Sequence, residues 1–392
     1  MSEQPISFQE LVPSDREHLV AAEVNPDGTA TLFSRHEDGV NADTVRFHPW
    51  LLVADLELAR AIPGVKEVQA LDGHADLNVR VHVGNRQAHR RAVRFLKSHT
   101  GRNPTDPGAP YKVITDFTQQ LLSLLPARLF RGMAFQDVRR LQLDIETFTA
   151  PGYDFPNAER AEDAVIVVSL RDSTGWERCL SGPELSEKEI LEQAVACIRE
   201  RDPDVIEGHN LFDFDLPYIE TRCRRHGVRL AIGRDGSSVW SRPSRFTAAE
   251  RSVTYNRYSV YGRHVVDTLH LVQLYDVLYR ELESYNLKTV ARHFNVTAPE
   301  RTYVDGDAIT DVYRASPATV RAYALDDVRE TAGIGELLAP SYFYQAQLVP
   351  FTFQNCVTRG TAARIDAMLL AAYMERNAAL PKPGKARPFQ GG

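Results

Sequence analysis

The sequence predicts an α/β chain in which a strand-rich α+β domain precedes a mixed sheet flanked by helices. Three observations carry this. Apolar, β-branched segments at 141–145, 165–170 and 204–207 alternate with helix-period segments, the pattern of a layered α/β domain. Residues before about Arg131 show short strands separated by turn residues instead. The length of 392 residues exceeds one ordinary core, so two domains of about 100 to 200 residues are expected.

Composition excludes several classes. Hydrophobic residues at 43% and charged residues at 25% match a folded globular chain and rule out a disordered or collagen-like one. The start, Met1-Ser2-Glu3-Gln4-Pro5, has no basic-then-apolar leader, and no apolar run approaches the roughly 18 residues of a membrane span. A cytoplasmic protein without membrane contact is therefore expected. Cys179, Cys197, Cys223 and Cys356 stand far apart, which excludes a zinc knuckle or disulfide scaffold. The net charge of -6 gives no global nucleic-acid footprint. A local one is spelled by Arg86, Arg90, Arg91, Arg94, Lys97 and Arg102, whose spacing puts several cations on one helix face. That face reads either as phosphate-binding or as simply solvated.

Along the chain, Leu19 to Val24 and Thr29 to Phe33 flank Asn25-Pro26-Asp27-Gly28 and predict a hairpin. Val45 to Val53 reads as a further strand, and Gly101 to Pro110 breaks regular structure. Ser186 and Glu189 form a capping box before an amphipathic helix. Arg234 to Arg263 reads as an excursion or hairpin, followed by a strand at 264–267 and a helix at 269–278. Ser284 to Phe294 reads as a helix, and Ser316-Pro317 as an N-cap and first helical residue of another that runs to about Leu338. Pro381-Lys382-Pro383-Gly384-Lys385 and Gln390-Gly391-Gly392 predict an extended, flexible tail.

Three groups of acids carry chemistry. In Asp144-Ile145-Glu146, strand alternation sends both carboxylates to one side, where mutual repulsion favours a bound cation or solvent exposure. Glu207 to Tyr218 places Asp213 and Asp215 beyond a strand's carboxyl end, where open α/β sheets hold ligands. The competing reading is that one of them caps the helix beginning near Leu216. In Tyr323-Ala324-Leu325-Asp326-Asp327, the i, i+4 relation puts a phenol and a carboxylate on one helix face. The plain alternative is a core tyrosine beside an Asp327–Arg329 pair.

In this order and spacing the three groups resemble the Exo I, Exo II and Exo III motifs of DEDDy exonucleases, as found in the proofreading domain of family B DNA polymerases. The resemblance extends to Phe130-Arg131-Gly132-Met133, Leu141 to Thr147 and Ser284 to Ala291, and is strongest over residues 130 to 340. It implies a ribonuclease H-like exonuclease domain at 132–340 after an N-terminal mixed α+β domain at 1–131. It further implies that Asp144, Glu146, Asp215 and Asp327 hold two divalent cations, magnesium or manganese, and that Tyr323 orients the attacking water. Thr147 and Asn210 would touch the substrate terminus. Phe212 or Phe214 would meet the terminal base, although the core is the commoner place for such residues. Asp267 would support the site, and His209 reads as a hydrogen-bonded loop residue. His270 and His293 do not stand four residues before Asp327, so the tyrosine subtype is expected.

The polymerase patterns D-x-x-S-L-Y-P-S and Y-x-D-T-D-S do not occur. Residues 341–392 resemble the run-in to a palm domain, so a truncated or split polymerase, or a fragment, is expected. Met368, Leu369, Leu370 and Tyr373 would then be exposed. The expected partner is the single-stranded 3′ end of DNA, together with a chain carrying palm, fingers and thumb. Two alternatives stay open: a non-catalytic module that positions DNA for a polymerase encoded elsewhere, and a DEDD nuclease acting on RNA.

Overall fold

A computed structural model describes residues 16–382. They form two compact units, one of residues 16–132, 346–352 and 361–382, the other of residues 133–345 and 353–360. The tail expected at 383–385 and 390–392 lies outside the described residues.

In the first unit, β1 (Leu19–Val24), β2 (Thr29–His36) and β3 (Gly39–Arg46) form an antiparallel sheet. The turn residues act as their chemistry dictates. Asp27 Oδ1 accepts from the Thr29 amide at 3.0 Å and its hydroxyl at 2.7 Å, while Gly28 takes φ +91°. The strand expected at 45–53 is two strands: β3 ends at Arg46, and β4 (Trp50–Val53) belongs to another sheet. Pro49 explains the break, because it has no N–H for the ladder.

That other sheet has the order β5 (Val65–Ala70), β6 (Val79–Val83), β4, β7 (Tyr111–Lys112) and is antiparallel. The helix Arg86–Thr100 begins at Asn85, whose side chain accepts from the Ala88 amide at 2.9 Å, and ends at left-handed Gly101. Ala88, Ala92 and Leu96 bury its inner face in a core with Leu51, Val53 and Val81.

The helix Thr361–Glu375 packs on the helix Phe117–Leu124 in the same unit, and Arg128 ties it down through Glu375 at 2.7 Å. Exposure of all four of its expected residues is therefore not found. Leu370 is buried with Ala367, Ala371 and Met374, while Met368 and Leu369 are exposed. The residues after 340 are thus divided between the two units rather than forming one piece.

The second unit is built on a five-stranded mixed sheet. Its strands are β8 (Arg140–Thr147), β9 (Val165–Asp172), β10 (Glu177–Ser181), β11 (Val205–Gly208) and, after the hairpin β12 (Trp240–Ala248) and β13 (Arg251–Ser259), β14 (His264–Asp267). The order is β10-β9-β8-β11-β14, parallel from β8 through β14 and antiparallel on the other side. On one face the helix Glu187–Arg201 packs Ile190, Leu191, Ala194 and Ile198 against Leu143, Val168 and Leu170. Its capping box is formed, with Ser186 N donating to Glu189 Oε2 at 2.8 Å. On the other face lies the helix Pro317–Leu338, whose Val320 and Ala324 meet Val167. Ser316 makes no side-chain cap; its hydroxyl instead accepts from Thr319 at 2.9 Å. The helix expected from Ser284 starts at Leu287, because Asn286 is the cap, accepting from the Thr289 amide at 2.9 Å.

Beneath that long helix, fully buried Glu207 accepts from Arg140 at 3.0 Å and from Gln142 at 2.6 Å. A Cβ on Gly335 would lie 3.1 Å from Glu207 Oε2, so glycine lets the helix approach this pair. Removing Glu207 leaves the buried Arg140 guanidinium with only the exposed Glu336, at 2.9 Å, as a carboxylate partner. Glu207→Ala should therefore lose about 3 to 5 kcal/mol of stability in urea unfolding.

Candidate active site

Period-2 alternation along β8 sends Leu141, Leu143 and Ile145 into the core shared with the helix Glu187–Arg201. Asp144 and Glu146 take the other face, below the turn of the long helix that carries Tyr323 and Asp327. Carboxylate oxygens of Asp144, Glu146 and Asp327 all lie within 4.8 Å of one another. Asp215 joins them from the next parallel strand's exit. It is the first residue of the helix Asp215–His226, and its Oδ1 accepts from the Ile145 amide at 3.2 Å. Neither aspartate caps that helix: its N-cap is Phe214, without a side-chain bond, and Asp213 is exposed.

Burial and like charge set the electrostatics. Burial first, then Glu146, Asp327 and Asp215, pushes the Asp144 carboxyl well above the carboxylate range. Glu146 is raised by burial and then chiefly by Asp327. Burial, then Asp267, lifts Asp215 to about 8. Asp327 is raised by burial to about 6, against the opposing pull of Arg301 and Lys288. Asp144 Oδ2 is buried and has no hydrogen-bond partner among the described residues. Burial and the surrounding acids hold the Tyr323 phenol protonated.

Two cations border the acids. Arg301, almost fully buried, bonds Asp327 and reaches Glu330 at 2.8 and 3.1 Å. Its guanidinium carbon lies 5.2 Å from the Tyr323 ring centroid. Lys288 Nζ lies 4.4 Å from the same centroid and donates to the Val304 carbonyl at 3.0 Å. The alternative pairing of Asp327 with Arg329 is not formed; Arg329 bonds Asp326 at 3.0 Å and Glu177 at 2.6 Å. Sequence reasoning misses Arg301. The one available signal is that Asp327 and Glu330, one turn apart on a buried helix face, require a counter-ion.

The expected substrate residues divide. Glu146, Thr147 and Phe214 line one open cleft with Tyr153, Phe155 and Arg314. Phe214 is half-buried there, whereas Phe212 is core, 5.2 Å from the Tyr255 ring and 5.6 Å from His270. Asn210 is half-buried and left-handed at φ 71°. Asp267 holds this loop by accepting from the amides of Asn210 at 2.9 Å and Phe212 at 3.1 Å, besides capping its own helix at Leu269. His209 is engaged by Thr268 Oγ1 at 3.0 Å and the Tyr285 carbonyl at 2.7 Å.

The second unit is thus a mixed sheet whose central strand carries a buried acid cluster under a flanking helix. Comparison with known proteins gives this arrangement a family: residues 122–290 match the exonuclease domain of DNA polymerase family B. It is 32% identical over 238 residues to DNA polymerase 2 of Aeropyrum pernix, covering 59% of this chain and 27% of that one. It is 27% identical over 266 residues to a DNA polymerase of Archaeoglobus fulgidus, covering 66% and 30%. The chain thus spans about a third or less of these relatives' length. Its fold matches the family B DNA polymerase of Pyrobaculum calidifontis with a TM-score of 0.71 at 21% identity, over 95% of this chain and 52% of that one.

Because Asp267 fixes the loop before Asp215 without belonging to the three-acid cluster, Asp267→Ala should release that loop. Three amides, those of Asn210, Phe212 and Leu269, lose their acceptor, so the melting transition should fall by an amount equivalent to about 2 to 4 kcal/mol, as scanning calorimetry would show.

Proposed function

We propose that the chain is a 3′-to-5′ exonuclease of the proofreading type, which hydrolyses terminal phosphodiesters of single-stranded DNA with two divalent cations, magnesium or manganese. The observation that carries this is the convergence of Asp144, Glu146 and Asp327, with Asp215 beside them, in a buried cluster of mutual repulsion. The unpartnered Asp144 Oδ2 and an all-carboxylate donor set fit hard divalent ions. Asp144, Glu146, Asp215 and Asp327 are the proposed ligands. When bound, such ions supply an activated hydroxide and stabilise the leaving 3′ oxygen.

The chain's own residues do the rest. Tyr323 keeps its proton and orients the attacking water through its hydroxyl. Arg301 holds the Asp327 carboxylate in place. Thr147 and Asn210 contact the terminal sugar, and Phe214, on the cleft wall, stacks on the terminal base. DNA is favoured over RNA because the similar proteins are DNA polymerases. Polymerase palm, fingers and thumb domains are the partners this reading implies. No helix among the described residues is long and apolar enough to cross a membrane, and a cytoplasmic site of action is proposed.

The test is release of nucleotides from 3′-labelled single-stranded DNA with magnesium or manganese. Wild-type protein should release them, EDTA should stop release, and Asp144→Ala with Glu146→Ala should lower the rate by at least about a hundredfold, the scale of removing a charge-stabilising group. A folded wild type that releases nothing would favour the non-catalytic module; faster release from a matched RNA would favour the RNA nuclease.

A further inference from the structure

The helix Arg86–Thr100 carries a cationic face that the nuclease site does not use. Its buried side is Ala88, His89, Ala92 and Leu96, and the opposite side presents Arg90, Arg91, Arg94 and Lys97, all exposed. Arg86 does not belong to it. That guanidinium bonds the Val24 carbonyl and sits 5.3 Å from the Phe117 ring centroid. The 15-residue helix contains no Asp or Glu, in a chain whose acids outnumber its basic residues by 52 to 46.

Arg90 and Arg94 are one turn apart, as are Arg91 and Arg94, and Arg94 and Lys97, so the face repels itself. Among the described residues none of the four forms an ion pair or a side-chain hydrogen bond. An ordinary solvated face alternates sign; this one leaves the repulsion uncompensated, which an external polyanion would relieve.

We propose that this face binds the phosphate backbone of duplex DNA, independently of sequence. A rigid row of exposed cations matches phosphates, which fix position without reading bases. Phe95, between Arg94 and Lys97, packs partly against the core and stacks on His99 with ring centroids 5.1 Å apart, so it is engaged within the protein and is not a free stacking platform of the kind single-strand binders use. Duplex DNA offers the densest line of phosphates. The choice of DNA rests on the exonuclease reading; the cationic face itself does not.

The experiment measures binding of a labelled blunt duplex by the full chain in EDTA, across a salt series, so that hydrolysis plays no part. Replacing Arg90, Arg91, Arg94 and Lys97 by Gln should weaken binding at low salt at least about tenfold. Each lost phosphate contact should flatten the log-affinity against log-salt slope by about 0.9. Replacing the three arginines by Lys should keep the slope, which separates charge from folding. The Asp144→Ala, Glu146→Ala protein should bind the duplex as wild type does, so failure of the nuclease reading shows elsewhere. Unchanged affinity and slope in the Gln variant would overturn the proposal, as would an equal loss of single-strand binding.

Discussion

The second unit depends on one unfavourable arrangement, the burial of several carboxylates close enough to raise one another's proton affinity. Water would separate and solvate these groups; the fold instead fixes Asp144 and Glu146 on a central strand and Asp327 on the helix above it. Such a cluster is stable only if protonated or paired with positive charge. Arg301 supplies part of that charge through Asp327 and Glu330. Asp144 has only the electrostatic pull of Lys288 to set against the acids around it, and its orphaned Oδ2 is the observation that supports the proposed cation site.

The rest of the unit holds this arrangement. The sheet's inner face is an ordinary apolar core under the helix Glu187–Arg201. Its outer face is polar along β8, from Arg140 and Gln142 with Glu207 to Asp144 and Glu146. Gly335 lets the long helix close over the first of these polar groups, and the same helix delivers Tyr323 and Asp327 to the second. Asp267 links the neighbouring strand to the loop that leads into Asp215. Site and fold therefore share their buried hydrogen bonds, and few of these residues can change without affecting both.

Much of this is legible in the sequence wherever a local rule decides the outcome. Asn25 to Gly28 makes its hairpin because Asp27 bonds the chain two residues on, and Ser186 with Glu189 closes a capping box by direct side-chain contact. Strand alternation alone places Asp144 and Glu146 on one face. Reading falters where a distant partner decides. Pro49 divides a continuous-looking apolar run between two sheets, Ser316 sits at a helix start without capping it, and Asp327 takes Arg301 rather than nearby Arg329. Leu370 is likewise buried on a helix that packs against one some 250 residues earlier, which no local pattern reveals.

The claim on which the account turns is that these acids form a cation site, and direct titration of manganese tests it without requiring catalysis. Followed by thermal unfolding and by the electron paramagnetic resonance signal of free manganese, wild-type protein should bind the ion and gain melting temperature as the carboxylate repulsion is relieved. Glu146→Gln should bind more weakly and gain less. A folded wild type that neither depletes free manganese nor gains stability would contradict the account.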